Sequence, residues 1–404
     1  MEFQRLGFHN SVIKSQVRFF HLQLRCQAWL KTFQQFIWFI KIMIPVTRTF
    51  LPDLDVYTGY LQGIWESGQL TNNGPLVKQL REKLCETLGT PHLQLVTNGT
   101  LALQLAIKAL GLEGEVITTP YSYVATTNAI LWEGCTPVFV DVDADSFCID
   151  PDLIEAAITE NTTAILATHV YGYPCDVVRI QQIADRHNLK VIYDAAHAYG
   201  VRLHNDSLLN HGDCSTLSFH ATKLFHTGEG GAVVFRDSDV EQRAFLMSKF
   251  GHLGEDNYIG LGINTKMSEL HAAMGLSMLG HVDGIIEARR QCSAWYDERL
   301  AGVSLKRPKV VEELEYNYAY YPVVFDTHEK AMAVRDALQN QEIFPRRYFH
   351  PSLNTLPFLQ ESMQRPCPVS ESLAQRVLSL PLYATLTEQE IDRICACIKN
   401  TLEP

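Results

Sequence analysis

The sequence of 404 residues lacks several common signatures of function. Its ten cysteines include no Cys-x-x-Cys pair, and the closest couple, Cys395 and Cys397, has neither a zinc nor a redox spacing. Neither a metal site nor a disulfide framework is expected; reduced thiols in a cytosolic protein are. No Gly-x-x-x-x-Gly-Lys-Ser/Thr loop is present, which argues against a P-loop nucleotidase. No Gly-x-Ser-x-Gly elbow is present either, and Ser218-Phe219-His220 offers no convincing nucleophile turn for Ser/His/Asp hydrolysis. Positive charge is scarce, with 34 Lys and Arg against 45 Asp and Glu, a net charge of -11. A general nucleic-acid binder needs a basic face, so no nucleic-acid partner is expected. Internal repeats and low-complexity segments are also missing.

Residues 1–42 differ from the rest. They carry six basic residues and one acid, Glu2, among many aromatics. Charges interrupt the segment every few residues. Its longest uncharged run, Thr32 to Ile40, is far below the roughly 20 residues of a spanning helix. The segment reads as an accessory extension, with Met43 an alternative start, and no stable membrane insertion is expected.

From residue 93 onward, strand-like and helix-like segments alternate. "LQLVTN" (93–98) reads as a strand and "GTLALQLAIKALGL" (99–112) as a helix with apolar residues at helical spacing. The alternation continues through "KVIYD" (190–194). It includes a helix expected at "DPDLIEAAI" (150–158), where Asp150 caps and Pro151 occupies the first turn. Such a pattern predicts an α/β fold with a mostly parallel sheet covered by helices on both faces. Ligands in such sheets sit beyond the carboxyl ends of the strands. Polar residues fall at those ends: Asn98-Gly99-Thr100, Tyr121-Ser122-Tyr123, His169, Asp194 and His197. After residue 237 the pattern turns helical, with a long helix over 266–300 broken near Gly280. This pattern predicts a large domain over 43–290 and a small C-terminal α+β domain over 291–404.

Three features suggest chemistry. Asn98-Gly99-Thr100 lies where a strand meets a helix start, and free N–H groups there favour a phosphate; Thr100 could equally cap the helix. Asp194 ends a buried-looking strand, where a carboxylate is costly unless it meets a cation or donors. It either caps the next segment or partners a protonated ring nitrogen. Lys223 lies in "STLSFHATKLFHTGEGGAVVFR", with Ser218 before it and Gly228, Gly230 and Gly231 after it. A lysine amine in water is a poor nucleophile at neutral pH, but desolvation and neighbouring cations can activate it for imine chemistry. A lysine, an acid for a ring nitrogen and a phosphate cradle together are what pyridoxal 5'-phosphate requires.

The blocks "SGQLTNNGP", "VTNGTLALQLAIKALG", "TTPYSYVATTNAI", "VIYDAAHAYG", "SFHATKLFHTGEGG" and "GINTKMSELHAAMG" occur in the order found in the DegT/DnrJ/StrS family of sugar-nucleotide aminotransferases, which the chain resembles from Ile44 to about Leu402. The resemblance implies the fold-type-I architecture of pyridoxal-phosphate enzymes and a homodimer with shared active sites. By position, it implies that Lys223 carries the cofactor as an imine, Asp194 pairs with its ring nitrogen and His197 lies beside its ring hydroxyl. Tyr123 would stack on the ring. Gly99, Thr100 and Ser218 would hold the phosphate, and Asn264 would reach it from the second subunit. Tyr348 and His350, in "RRYFHP", would help contain the sugar. Two positions depart from the family's "NYRMSE" block: Thr265 replaces the tyrosine and Lys266 the arginine.

The implied reaction moves an amino group from L-glutamate to a nucleotide-linked keto-deoxysugar. The blocks most resemble enzymes acting on dTDP-4-keto-6-deoxy-D-glucose, for O-antigen or related glycans. Alternatives are a dTDP-3-keto isomer, a UDP-4-ketosugar, or a non-catalytic regulatory protein that binds sugar nucleotides on the same fold.

Overall fold

The computed structural model describes residues 43–402. The N-terminal extension, with the accessory role expected of it, lies outside the described residues. Seven strands form the central sheet: β1 (Leu93–Val96), β2 (Glu115–Thr118), β3 (Thr136–Phe139), β4 (Thr162–Thr168), β5 (Lys190–Asp194), β6 (Cys214–Ser218) and β7 (Gly231–Phe235). Their spatial order is β1-β7-β6-β5-β4-β2-β3. The five strands from β6 to β3 are parallel to their neighbours, and β7 runs antiparallel to both β6 and β1. Gly231 is therefore the register partner of Ser218. The segment 219–230, which holds Lys223, closes this antiparallel turn at the carboxyl end of β6.

Eleven α-helices are described: α1 (Leu54–Ser67), α2 (Pro75–Leu88), α3 (Gly99–Ala109), α4 (Ala125–Trp132), α5 (Val177–His187), α6 (Ser238–Met247), α7 (Glu269–Leu279), α8 (Val282–Arg299), α9 (His328–Gln339), α10 (Pro368–Arg376) and α11 (Glu388–Leu402). Local chemistry sets many of their starts. The Asn98 side chain accepts from Leu101 N at 2.9 Å and caps α3. Asp176, Asp237, Ser268 and Thr327 cap α5, α6, α7 and α9 in the same way. Prolines occupy the first position of α2 and α10.

The helix expected over 150–158 does not form. Asp150 accepts from Asp152 N and closes a short 3₁₀ turn, a second such turn comes next, and Ile158 is already extended at φ -74° and ψ 132° on the way into β4. The long helix expected over 266–300 is two helices, separated at Gly280 and His281.

Alternate side chains of the inner strands serve different cores, as the pleat requires. Ile165 and Val191 join Leu80, Leu84 and Ile117 on one face. Leu166 and Ile192 join Leu103, Ile107 and Val233 on the other. A further core gathers Tyr296, Tyr321, Val323, Ile343, Leu378, Ile391, Ile394 and Ile398 around the antiparallel pair β8 (Tyr321–Val324) and β9 (Val377–Leu380). Ile44 belongs to this core, because the strand Ile44–Pro45 pairs in parallel with Ile343–Phe344. Helix α8 serves both units: Val282 and Ile285 face the sheet's core, while Cys292 and Tyr296 face the C-terminal one. The expected boundary at 290/291 falls inside this helix.

Candidate active site

A cavity of about 780 Å³ lies at the carboxyl ends of β5 and β6. Gly99, Thr100, Tyr123, Asp194, His197, Ser218, Lys223 and Tyr348 all line it. Residues spread across 250 positions of chain thus meet because parallel strands end on one side of the sheet.

Asp194 is buried. Its Oδ2 accepts from Thr126 Oγ1 at 2.7 Å, and its Oδ1 accepts from Ala196 N at 3.1 Å, forming a turn instead of a helix cap. The Thr126 hydroxyl has one proton and gives it to the acid. It must therefore accept from Ser122 Oγ at 2.8 Å, and Ser122 in turn accepts from Thr168 Oγ1 at 3.0 Å. A directed chain of three hydroxyls thus ends on the carboxylate. Burial nevertheless raises the Asp194 carboxyl above its ordinary range, against the pull of Thr126, Ala196 N and the Lys223 amine.

His197 is also buried, and burial, assisted by Lys223, holds it well below the ordinary imidazole range. It is neutral at physiological pH. Tyr171 N donates to its Nδ1 at 3.2 Å, so the ring proton must be on Nε2. The ring stacks on Phe349 at 5.5 Å and meets Tyr320 edge-on at 4.8 Å. Its backbone carbonyl accepts from Asn317 Nδ2 at 2.9 Å.

The Lys223 segment is tied down by its backbone. Phe219 N bonds Gly230 O, Ala221 N bonds Gly228 O and Lys223 N bonds His220 O, each at 2.8 Å. Gly228 sits at φ +79°, where a side chain would be strained. Lys223 Nζ is half-buried and approaches Tyr320 Oη at 3.5 Å. Opposite, the start of α3 packs directly on the end of β6. A Cβ on Gly99 would lie 2.8 Å from Ser218 Cβ and 3.3 Å from its Cα. The N–H groups of Gly99 and Thr100 have no helical acceptor, being in the first turn.

These residues fit pyridoxal 5'-phosphate. Asp194 is a buried acid whose hydrogen-bond donors among the described residues are one hydroxyl and one N–H, so a cation facing it is favoured. Lys223 supplies the amine, and the Gly99–Ser218 junction supplies donors for a phosphate.

Not every expected residue is found here. Asn264, expected to serve a second subunit's cofactor, is exposed outside this chain's own cavity, where its Oδ1 accepts from Lys266 Nζ at 2.6 Å. Lys266, at the family's arginine position, also lies 5.1 Å from the Phe250 ring centre. Thr265 is fully buried. His350 lines an adjoining cavity instead. His169 stays in the core, stacked on Tyr193 with Nδ1 accepting from Cys175 N. Thr100 does not cap α3, since Asn98 does. Sequence reasoning missed Thr126, Tyr320 and Phe349. The Ser122/Thr126 spacing of four was the one available hint, since it places both hydroxyls on one side of a helical turn. Among the described residues no cluster of His, Cys, Asp and Glu could hold a metal, and no helix is long and apolar enough to cross a membrane.

The family model for DegT/DnrJ/EryC1/StrS aminotransferases matches residues 56–399. A dTDP-4-amino-4,6-dideoxy-D-glucose transaminase of Shigella dysenteriae is 42% identical over 364 residues, covering 88% of this chain and 98% of the relative. An Escherichia coli protein of the same name is 41% identical over 360 residues, covering 87% and 96%. Among solved structures, DesI in the presence of its TDP-sugar product superposes with a TM-score of 0.85 at 34% identity, covering 89% of this chain and 93% of that one. The chain belongs to the DegT/DnrJ/EryC1/StrS aminotransferase family and is a pyridoxal-phosphate-dependent sugar aminotransferase.

Proposed function

We propose that this enzyme transfers the amino group of L-glutamate to dTDP-4-keto-6-deoxy-D-glucose, yielding dTDP-4-amino-4,6-dideoxy-D-glucose. The observation that carries the reading is the convergence of Lys223, Asp194 and the Gly99–Ser218 junction on one cavity. The names of the two relatives at 41% and 42% identity support the sugar.

Bound pyridoxal phosphate supplies a carbonyl for amine exchange and a protonated ring that draws electrons from the substrate carbon. The chain's own residues do the rest. The Asp194 carboxylate would hold the ring nitrogen in its protonated form, and the Thr126 hydroxyl would favour the ionised acid. Tyr171 N fixes the imidazole so that His197 Nε2–H can donate to the ring oxygen. Gly99 N, Thr100 N and Ser218 Oγ would hold the phosphate, and Tyr123 would cover the ring. Lys223 Nζ then takes a proton from the donor's α-carbon and returns one to the sugar carbon. Tyr348 bounds the sugar. His350, in the lining of the adjoining cavity, would help contain the sugar with it.

The reading extends to a cytosolic homodimer that supplies O-antigen or related glycan synthesis. Leu253, Tyr258, Ile259, Leu261 and Ile263 expose 43–70% of their surface immediately before Asn264. Pairing this stretch with a second copy would bury it and carry Asn264 to the neighbouring cofactor phosphate. Light scattering on the purified enzyme tests the dimer.

The decisive assay incubates purified protein with L-glutamate and a panel of dTDP- and UDP-ketosugars, with mass spectrometry of the products. The 4-amino dTDP sugar is expected. Lys223→Ala should lose both the visible absorbance band of the bound cofactor and all turnover. An active Lys223→Ala enzyme would overturn the assignment.

A further inference from the structure

The cavity at Lys223 adjoins another across Tyr123 and Tyr348. These two residues, with Ser122 and Phe349, also line a second cavity of about 540 Å³. Three arginines line the second cavity, Arg335, Arg346 and Arg347, and no carboxylate does. The chain as a whole carries a net charge of -11, so this concentration of cations runs against its composition.

The three guanidiniums differ in what they already hold. Arg335 bonds Asp336 through two nitrogens, at 2.9 and 2.7 Å, so its charge is met. Arg347 donates one Nη to Ala374 O at 3.0 Å, near the end of α10, and more loosely to Gln375 O at 3.4 Å and Gln375 Oε1 at 3.3 Å, while its Nε is buried without a hydrogen-bond partner among the described residues. Burial and the nearby Arg335 both push Arg347 below its usual range, a strain that an anion would relieve. Arg346 is exposed at the cavity, and its backbone is fixed by exchange of hydrogen bonds with Ser379 at 3.2 and 2.7 Å. A solvated helix face explains Arg335. It does not explain the orphaned Nε of Arg347 or the absence of any acid from the lining.

Arginines without carboxylate partners suit the paired oxygens of phosphates. A nucleotide sugar carries its diphosphate on the anomeric carbon, away from the carbon that Lys223 must reach. The Gly99–Ser218 junction is already committed to the cofactor's phosphate, so the substrate needs a second anion site. We propose that Arg346 and Arg347 hold the diphosphate of the nucleotide sugar in the second cavity, with the sugar ring passing Tyr348 towards Lys223. This rests on the nucleotide-sugar assignment.

Calorimetric titration of thymidine diphosphate into the holoenzyme tests it. Arg347→Ala also removes the contact to Ala374, so Arg346→Ala, at an exposed side chain, carries the test. Its affinity for thymidine diphosphate should fall roughly tenfold to a hundredfold, the worth of a hydrogen-bonded charge pair. Arg346→Lys should recover only part, because an ammonium lacks the guanidinium's fork. Thymidine without phosphates should bind wild type and Arg346→Ala within about threefold of each other. In turnover, the KM for the nucleotide ketosugar should rise more than the KM for L-glutamate. Unchanged thymidine diphosphate binding in Arg346→Ala overturns the proposal. So does an equal loss for thymidine, or a parallel rise in the L-glutamate KM, because each marks a general distortion. If wild type aminates no ketosugar in the panel while Arg346→Ala still loses thymidine diphosphate, the anion site stands and the acceptor assignment falls. If amination proceeds and Arg346→Ala binds normally, the reverse holds.

Discussion

Thr126→Val removes one hydroxyl and nearly preserves shape. The lost oxygen donates to buried Asp194 at 2.7 Å and accepts from Ser122 at 2.8 Å. A hydrogen bond to a charged group is worth about 1.5–3 kcal/mol, and a neutral one about 0.5–1.5 kcal/mol. The first bond favours the ionised acid, so its loss adds to the upward push that burial already exerts on Asp194. At about 1.4 kcal/mol per tenfold, the acid limb of kcat/KM should move to higher pH by about one unit or more. The direction comes from the role: Asp194 must be ionised to face the ring cation, so activity is lost as pH falls through the acid's range, and loss of the Thr126 donor moves that range upward.

The assay is kcat/KM for the ketosugar against pH, for wild type, Thr126→Val and Thr126→Ser. Serine keeps the hydroxyl and should restore the wild-type limb. An acid limb that does not move in Thr126→Val would refute the claim that this hydroxyl sets the ionisation of Asp194. Equal movement in Thr126→Ser would attribute the effect to packing instead.

Three further outcomes are expected. Burial holds His169 at about 3, whereas an unfolded histidine titrates near ~6.5. Between those values only the unfolded chain gains the proton, so stability falls as pH drops. His169→Gln should flatten urea-derived stability between pH 4 and 6 by up to ~1.4 kcal/mol per pH unit, and an unchanged slope counts against it. Gly99→Ala must force α3 away from Ser218, a cost of about 1–3 kcal/mol that urea melts should show alongside weaker cofactor binding in a titration. Tyr320→Phe removes the hydroxyl 3.5 Å from Lys223 Nζ and should lower kcat by roughly twofold to twelvefold in steady-state assays. A loss beyond a hundredfold would mean that Tyr320 does more than steady the amine.

Much of this architecture was legible in the sequence because it obeys short-range rules. Asp194 and Ser218 end parallel-type strands, and such ends share one side of the sheet whatever the strand order. Their arrival in one cavity therefore needed only the β-α alternation. Segment 150–158 was misjudged because an Asp-Pro start looks the same for an α-helix and for a 3₁₀ turn; the residues downstream decide between them, and Ile158 is drawn into β4. His169 looked like a site residue by its place after β4, but its ring turns into the core against Tyr193. Thr126 meets Asp194 across 68 residues and Tyr320 meets Lys223 across 97, so neither contact has a local signature. Packing of the same long range carries α8 through the expected boundary at 290/291 and brings Ile44 into the C-terminal core.

The hydroxyl chain also constrains how folding and cofactor binding are coupled. Thr168 and Asp194 are register partners on neighbouring strands, and Ser122 and Thr126 come after β2, the strand on the other side of β4. The carboxylate is therefore satisfied only when three strands have assembled in the correct order. Even then it carries a raised protonation range, because one hydroxyl and one N–H replace water incompletely. Without a cation opposite, the folded state holds its proton to higher pH than the unfolded state, so stability falls as pH rises through that window. A ring cation removes this burden by pairing with the ionised acid. The stabilisation gained on cofactor binding should thus grow with pH across the same window, beyond the mass-action term alone. Asp194→Asn should abolish that growth while leaving the phosphate contacts at Gly99 and Ser218 in place. Melting temperatures of the cofactor-free and cofactor-bound forms, compared pH by pH, decide it; a pH-independent gain in the wild-type enzyme would mean that Asp194 is satisfied without its cation.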